Sequence, residues 1–160
     1  MQPVNEGRRE ALKLCGTAAI LGALAGARLL TPREAAAQWN KDAFSATSLD
    51  EVVKAYGGDR PTETTDISWG STPEIAENGA VVPVSVTSRI PNTESIAIVI
   101  EKNPNKLAAH FQFPDGTEPA VSTRVKVSES SNVHALIRTK DGKYFVATRE
   151  IKVTLGGCGG

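Results

Sequence analysis

The sequence runs to 160 residues with 18 basic and 18 acidic side chains, two Cys and one Met. That is the size of one domain, and an apolar share of 40% supports a modest core and excludes wholesale disorder. Zero formal net charge argues against a dedicated nucleic-acid binder, which carries a basic surplus, and two cysteines are too few for a disulfide framework or a four-Cys zinc site.

The first segment has the layout of an export leader. Gly7-Arg8-Arg9-Glu10-Ala11-Leu12-Lys13 precedes an Ala/Gly/Leu-rich run over residues 14–27, and a small-residue stretch ending Ala35-Ala36-Ala37 follows. Charged region, short apolar region and small-residue cleavage site is the order of a secretory signal. The paired Arg8 and Arg9 resemble the twin-arginine signal of bacteria. The apolar run is shorter than the ~20 residues a spanning helix needs. Cys15 follows Leu14, where a lipid-attachment site wants a small residue. Residues 1–37 are therefore expected to be removed as a twin-arginine signal, leaving a periplasmic protein with no membrane attachment. The leader takes five basic and three acidic residues with it, so 13 and 15 remain. It also takes Met1 and Cys15, so Cys158 becomes the only sulfur-bearing residue. An odd cysteine in an exported protein pairs between molecules or stays reactive.

Residues 38–60 form an N-terminal segment with one short helix, expected over 45–56. Thr47 or Ser48 can cap it, Asp50 and Glu51 lie in its first turn, and Leu49, Val52, Val53 and Tyr56 follow helical spacing. Gly57-Gly58 ends it. From residue 61 the pattern shifts to short strands. Asn78-Gly79 predicts a hairpin between 74–77 and 80–88. Val82, Val84 and Val86 alternate with Pro83, Ser85 and Thr87, and Pro83 belongs on an edge or bulge. Runs over 95–101, 108–113 and 120–127 come next. Asp141-Gly142 predicts a hairpin between 132–140 and 143–155. In the last strand Phe145, Ala147, Ile151, Val153 and Leu155 share one face, and Thr148, Glu150, Lys152 and Thr154 share a wet one. About seven short strands over 61–155 predict an all-β, immunoglobulin-like antiparallel β-sandwich, with a small β-barrel as the alternative.

Residues 156–160 read Gly156-Gly157-Cys158-Gly159-Gly160, a flexible Gly-rich arm bearing one thiol. Three residues beyond Leu155 span at most ~10 Å, a length suited to a narrow cleft of another protein. The four glycines remove bulk on both sides of the sulfur. No His or Arg neighbours Cys158 in sequence, so its thiol is expected near the free value of ~8.5. That suits a passive attachment point and not the nucleophile of a self-contained enzyme, which pairs its thiol with a positioned base.

These residues resemble the SoxY family, the sulfur-carrier subunits of the bacterial Sox thiosulfate-oxidising system. The terminal Gly156-Gly157-Cys158-Gly159-Gly160 carries the resemblance, together with Val153-Thr154, residues 73–84, Asn103-Pro104, Thr123-Arg124 and Asp141-Gly142-Lys143. The chain departs from the family at Lys126-Val127-Ser128-Glu129, where the family is more apolar. The resemblance implies a non-enzymatic carrier without a cofactor, holding pathway intermediates on Cys158. It implies a heterodimer with SoxZ, loading by the SoxAX cytochrome, sulfate release by the SoxB hydrolase and, in some systems, a sulfane dehydrogenase. No nucleic-acid partner is implied.

His110 and His134 have no metal-site spacing and are expected to be structural or exposed. Trp39, Phe44 and Trp69 are expected as core or interface anchors. Two other functions remain open. One is a structural sandwich module dimerising through a Cys158 disulfide. The other is a Gly-Gly carrier with sulfur as a thiocarboxylate on Gly160.

Overall fold

The computed structural model describes residues 40–155. The leader with Arg8, Arg9 and Cys15, Trp39, and the arm with Gly156, Gly157, Cys158, Gly159 and Gly160 lie outside the described residues. In chain order the elements are α1 (Lys41–Ser45), α2 (Leu49–Ala55), β1 (Thr62–Glu63), β2 (Ile67–Trp69), β3 (Ile75–Asn78), β4 (Val82–Ser88), β5 (Thr93–Ile100), β6 (Leu107–Gln112), β7 (Ala120–Val125), β8 (Ser131–Thr139) and β9 (Tyr144–Leu155).

The strands form two sheets, as an immunoglobulin-like sandwich requires. The larger has the order β1-β9-β8-β5-β6, with β3 also on β9, and the smaller is β2-β4-β7. Between them lies the main core: Val82, Val84 and Val86 from β4, Ile96, Ile98 and Ile100 from β5, and Val133, Ala135, Ile137 and Ile151 from β8 and β9. Burial of each such side chain is worth ~1.5–3 kcal/mol.

The helices supply a third layer. Ala43, Val52 and Val53 pack on Ala97, Val99, Leu107, Leu136, Tyr144 and Val146, the opposite face of the larger sheet. This explains the unbroken Ile96-Ala97-Ile98-Val99-Ile100: a strand buried on both faces has no reason to alternate. It also corrects the reading of the last strand. Its second face is wet at Thr148, Glu150, Lys152 and Thr154, but Tyr144 and Val146 on that face lie buried under the helices.

The helix expected over 45–56 is α2, shorter at both ends, and a separate α1 precedes it over Lys41–Ser45. Ser48 caps α2 by accepting from the Glu51 N–H at 3.2 Å, and the Glu51 carboxylate accepts from the Thr47 N–H at 2.7 Å. This reciprocal arrangement fixes the helix start. Gly57, at φ +79°, closes it as expected.

The Asp141-Gly142 hairpin forms, pairing Arg138 with Tyr144 and Ser131 with Ile151. The Asn78-Gly79 hairpin does not. β3 runs parallel to β9, while β4 pairs antiparallel with β2 and β7 in the other sheet. The Asn78 side chain accepts from the Ala80 N–H at 2.8 Å, so the turn carries the chain between sheets instead of folding it back. Pro83 sits where expected: β2 reaches only Val86–Ser88 of β4, so at Pro83 that strand has β7 as its one neighbour.

Candidate functional site

The strand registers gather one group of connections at a single end of the sandwich. Ile100 lies opposite Val133, Ser131 opposite Ile151, and Val82 opposite Val125. The loops over 79–81, 101–106 and 126–130 therefore surround the end of β9, the last described element before Gly156-Gly157-Cys158.

This end of β9 is held from both sides. On one flank Ile75, Ala76 and Asn78 of β3 pair with Lys152, Val153 and Leu155, the Lys152 N–H donates to Glu74 O at 2.8 Å, and Thr154 Oγ1 donates to Glu77 O at 3.1 Å. On the other flank the Val153 N–H donates to Ser130 Oγ at 2.9 Å. The backbone just before Gly156 is thus anchored on a rigid element.

The surrounding loops are also fixed. Asn103 is 9% exposed; its Nδ2 donates to Lys126 O at 2.7 Å and its Oδ1 accepts from the Ser128 N–H at 2.9 Å. The Val127 N–H donates to Gly79 O at 2.7 Å. One buried amide side chain therefore ties two loops together, as buried polar groups demand partners.

Sequence reasoning missed two residues here. Ile75 and Val81 are the large hydrophobic side chains left exposed among the described residues, at 62% and 56%. Ile75 lies on β3, which pairs with the end of β9, and Val81 in the connection between β3 and β4. The only signal for them was an apolar residue in a segment otherwise read as an ordinary hairpin.

The two histidines do not meet. His134, on β8, bonds through Nδ1 to Thr148 Oγ1 and through Nε2 to Glu101 Oε1, both at 2.8 Å. His110, on β6, stacks on Tyr56 with ring centroids 4.6 Å apart. Burial, and then the charge of Arg138, hold its imidazole below the ordinary histidine range. β5 separates the two strands. No group of three or more His, Cys, Asp or Glu placed to hold a metal occurs among the described residues. Trp69 packs against the main core with the Arg149 guanidinium 5.7 Å over its ring, and Phe44 packs in the helical layer. No helix among the described residues is long and apolar enough to cross a membrane.

Among solved structures, the sulfur carrier protein SoxY from Chlorobium limicola f thiosulfatophilum is 38% identical, with a TM-score of 0.60. The match covers 69% of this chain and 100% of that one. A superoxide reductase (neelaredoxin) from Ignicoccus hospitalis is 23% identical over 56% of this chain and 81% of its own, at a TM-score of 0.48. A putative superoxide reductase from Thermotoga maritima is 19% identical over 59% and 87%, at 0.47. No match is found among curated protein sequences. The family model described as "Sulfur oxidation protein SoxY" matches residues 53–158, from within α2, through every strand, to the cysteine of the Gly-rich tail: the chain belongs to the SoxY family.

Proposed function

We propose that this protein is a covalent sulfur carrier of periplasmic thiosulfate oxidation, holding pathway intermediates on the Cys158 thiol and presenting them to separate enzymes. The observation that carries this reading is the two-sided anchoring of β9 up to Leu155, immediately before Gly156-Gly157-Cys158. Family membership and likeness to a sulfur carrier protein support it from a second direction.

The chemistry balances with Cys158 as attachment point and other proteins as catalysts. In loading, the thiol and thiosulfate join through a new S–S bond. Two electrons pass to an oxidising partner, a c-type cytochrome of the SoxAX kind, and one proton is released. In unloading, water attacks the terminal sulfonate sulfur of Cys–S–S–SO3⁻. The S–S bond to that sulfur breaks, its electron pair stays on the persulfide, and sulfate leaves with two protons. A hydrolase of the SoxB kind catalyses this step, and a sulfane dehydrogenase can oxidise the remaining sulfur. A SoxZ subunit is the proposed heterodimeric companion, and Arg8 and Arg9 the export signal. In this scheme the chain supplies no active site of its own. It supplies a thiol that can reach at most ~10 Å from a fixed root, flanked by glycines.

Reconstitution with thiosulfate and the oxidising partners tests the reading. Cys158→Ser is expected to abolish oxidation while leaving the fold intact, since the residue lies beyond the last strand. Oxidation that survives the substitution would show that the sulfur travels elsewhere.

A further inference from the structure

In three places the sequence sets Asn or Asp directly before Gly: Asn78-Gly79, Asp115-Gly116 and Asp141-Gly142. At such a pair the main-chain nitrogen of the glycine can attack the side-chain carbonyl carbon before it, because no Cβ on the glycine hinders the approach. The two aspartates are poorly suited to this. Asp141 lies 2.8 Å from Lys143 Nζ, and hydrogen bonds from Lys143 and Thr139 hold its carboxyl below the usual carboxylate range. Asp115 pairs with Lys140. An ionised carboxylate repels a nucleophile. The Gly142 N–H is also engaged, donating to Thr139 O at 2.9 Å.

Asn78-Gly79 differs on each count. Its side chain is a neutral amide, and Asn78 and Ala80 are exposed, with the buried Gly79 between them. Asn78 Oδ1 accepts from the Ala80 N–H at 2.8 Å. That bond runs from residue 78 across residue 79, so it folds the side chain over the Gly79 amide, the placement an intramolecular attack needs. The same N–H draws charge from the carbonyl and stabilises the oxyanion that forms on attack. The Gly79 N–H, unlike that of Gly142, donates to no group among the described residues. The other described asparagines lack this combination. Asn103 precedes Pro104, which has no N–H to lose, and Asn132 precedes the branched Val133.

We propose that Asn78 is a site of spontaneous deamidation and isoaspartate formation, and that this covalent change loosens the anchor on the end of β9. The chemistry needs only water. The Gly79 nitrogen loses its proton to water or hydroxide and bonds to Asn78 Cγ. The bond from Cγ to the side-chain nitrogen breaks, and ammonia leaves. Water then opens the resulting succinimide ring. Opening at Cγ gives aspartate. Opening at the main-chain carbonyl carbon gives isoaspartate, in which the backbone runs through Cγ and is longer by a carbon. Asn78 pairs with Leu155 as the last rung of β3 on β9, and the adjoining Gly79 accepts from the Val127 N–H at 2.7 Å. Extra backbone between these two contacts cannot satisfy both in the present register. The proposal does not depend on the role of Cys158.

The test incubates the full chain at mildly alkaline pH, folded and in urea, and maps its peptides by mass spectrometry after digestion at mildly acidic pH. Replacement of NH2 by OH is expected at Asn78 of the folded chain, no more slowly than in urea and ahead of every other asparagine. Electron-transfer fragmentation separates isoaspartate from aspartate. Asn78→Gln, whose amide would have to close a larger ring, and Gly79→Ala are each expected to slow the change roughly tenfold or more. Circular dichroism checks that Gly79→Ala keeps its fold, and Asn78→Gln, on the exposed surface, reads the chemistry without it. In the modified fraction, hydrogen exchange is expected to quicken at Val127 while the amides shared by β5 and β8 keep their protection. A folded chain in which Asn78 stays intact, changes more slowly than in urea, or is matched by other asparagines would overturn the proposal. So would a rate that Asn78→Gln leaves undiminished, or exchange at Val127 that modification leaves unchanged.

Discussion

His110 shows how one residue couples packing to proton binding. Its ring is sandwiched into the layer between α2 and β6 by the Tyr56 stack, with Arg138 and Glu94 as the charged groups that bear on it. Burial and the Arg138 charge disfavour the imidazolium, so the folded pKa lies below the unfolded one, and Glu94 offsets only part of this. The unfolded chain then binds more protons in the interval between the two values. The stability associated with His110 is therefore complete above an unfolded pKa of ~6.5 and is lost as pH falls through that value toward the folded one. Thermal unfolding followed from pH 7.5 to pH 5 is expected to show a steeper drop in Tm for the wild type than for His110→Phe, which keeps an aromatic ring against Tyr56. Parallel curves would place the titration elsewhere.

Among the elements, the docking of α2 depends on a close approach. The Tyr144 O–H, from the start of β9, donates to Tyr56 O at 2.8 Å, and its ring lies against Gly58. A Cβ added to Gly58 would stand 2.3 Å from a Tyr144 ring carbon, whereas at Gly57 it would meet nothing within 4 Å. Gly58→Ala is expected to destabilise by ~1–3 kcal/mol through forced displacement of the buried ring, against ~1 kcal/mol for Gly57→Ala, whose cost is backbone strain at positive φ. Urea denaturation of the two variants measures the difference; equal costs would mean that the Tyr144 contact relaxes freely. Element by element, local chemistry was legible where it decides the outcome. Ser48 and Glu51 mark a helix start, and Asp141-Gly142 joins two strands that are neighbours in both sequence and space. It failed where the partner is remote. Asn78-Gly79 has good turn chemistry, yet β3 pairs with a strand more than 70 residues onward, and no local signal competes with that pairing. The two-residue β1 and three-residue β2 are too short to show a period. The short α1, ended at Ala46 by an extended backbone, has no compositional mark.

At the scale of the molecule, two layers of sheet and one of helices bring three loops to the end of β9. The root of the tail is pinned by strand pairing to Leu155 on one side and by Ser130 on the other. The candidate thiol rests on the sequence alone, where a lone cysteine between paired glycines stands out by composition. The arrangement at the end of β9 was not legible there: Asn103 and residues 126–128 belong to separate loops, and only the fold brings them together. In the proposed reading a stable scaffold and a short Gly-rich tether divide the labour: the core fixes where the tether starts, and partner enzymes supply the chemistry. Intact-mass spectrometry with peptide mapping, on protein isolated from thiosulfate-oxidising cells, tests this most directly. The carrier reading predicts added sulfur on the peptide containing Cys158, removable by thiol reductant. Sulfur on the Gly160 carboxyl instead, or a Cys158 found only as a stable disulfide between two chains, would contradict it.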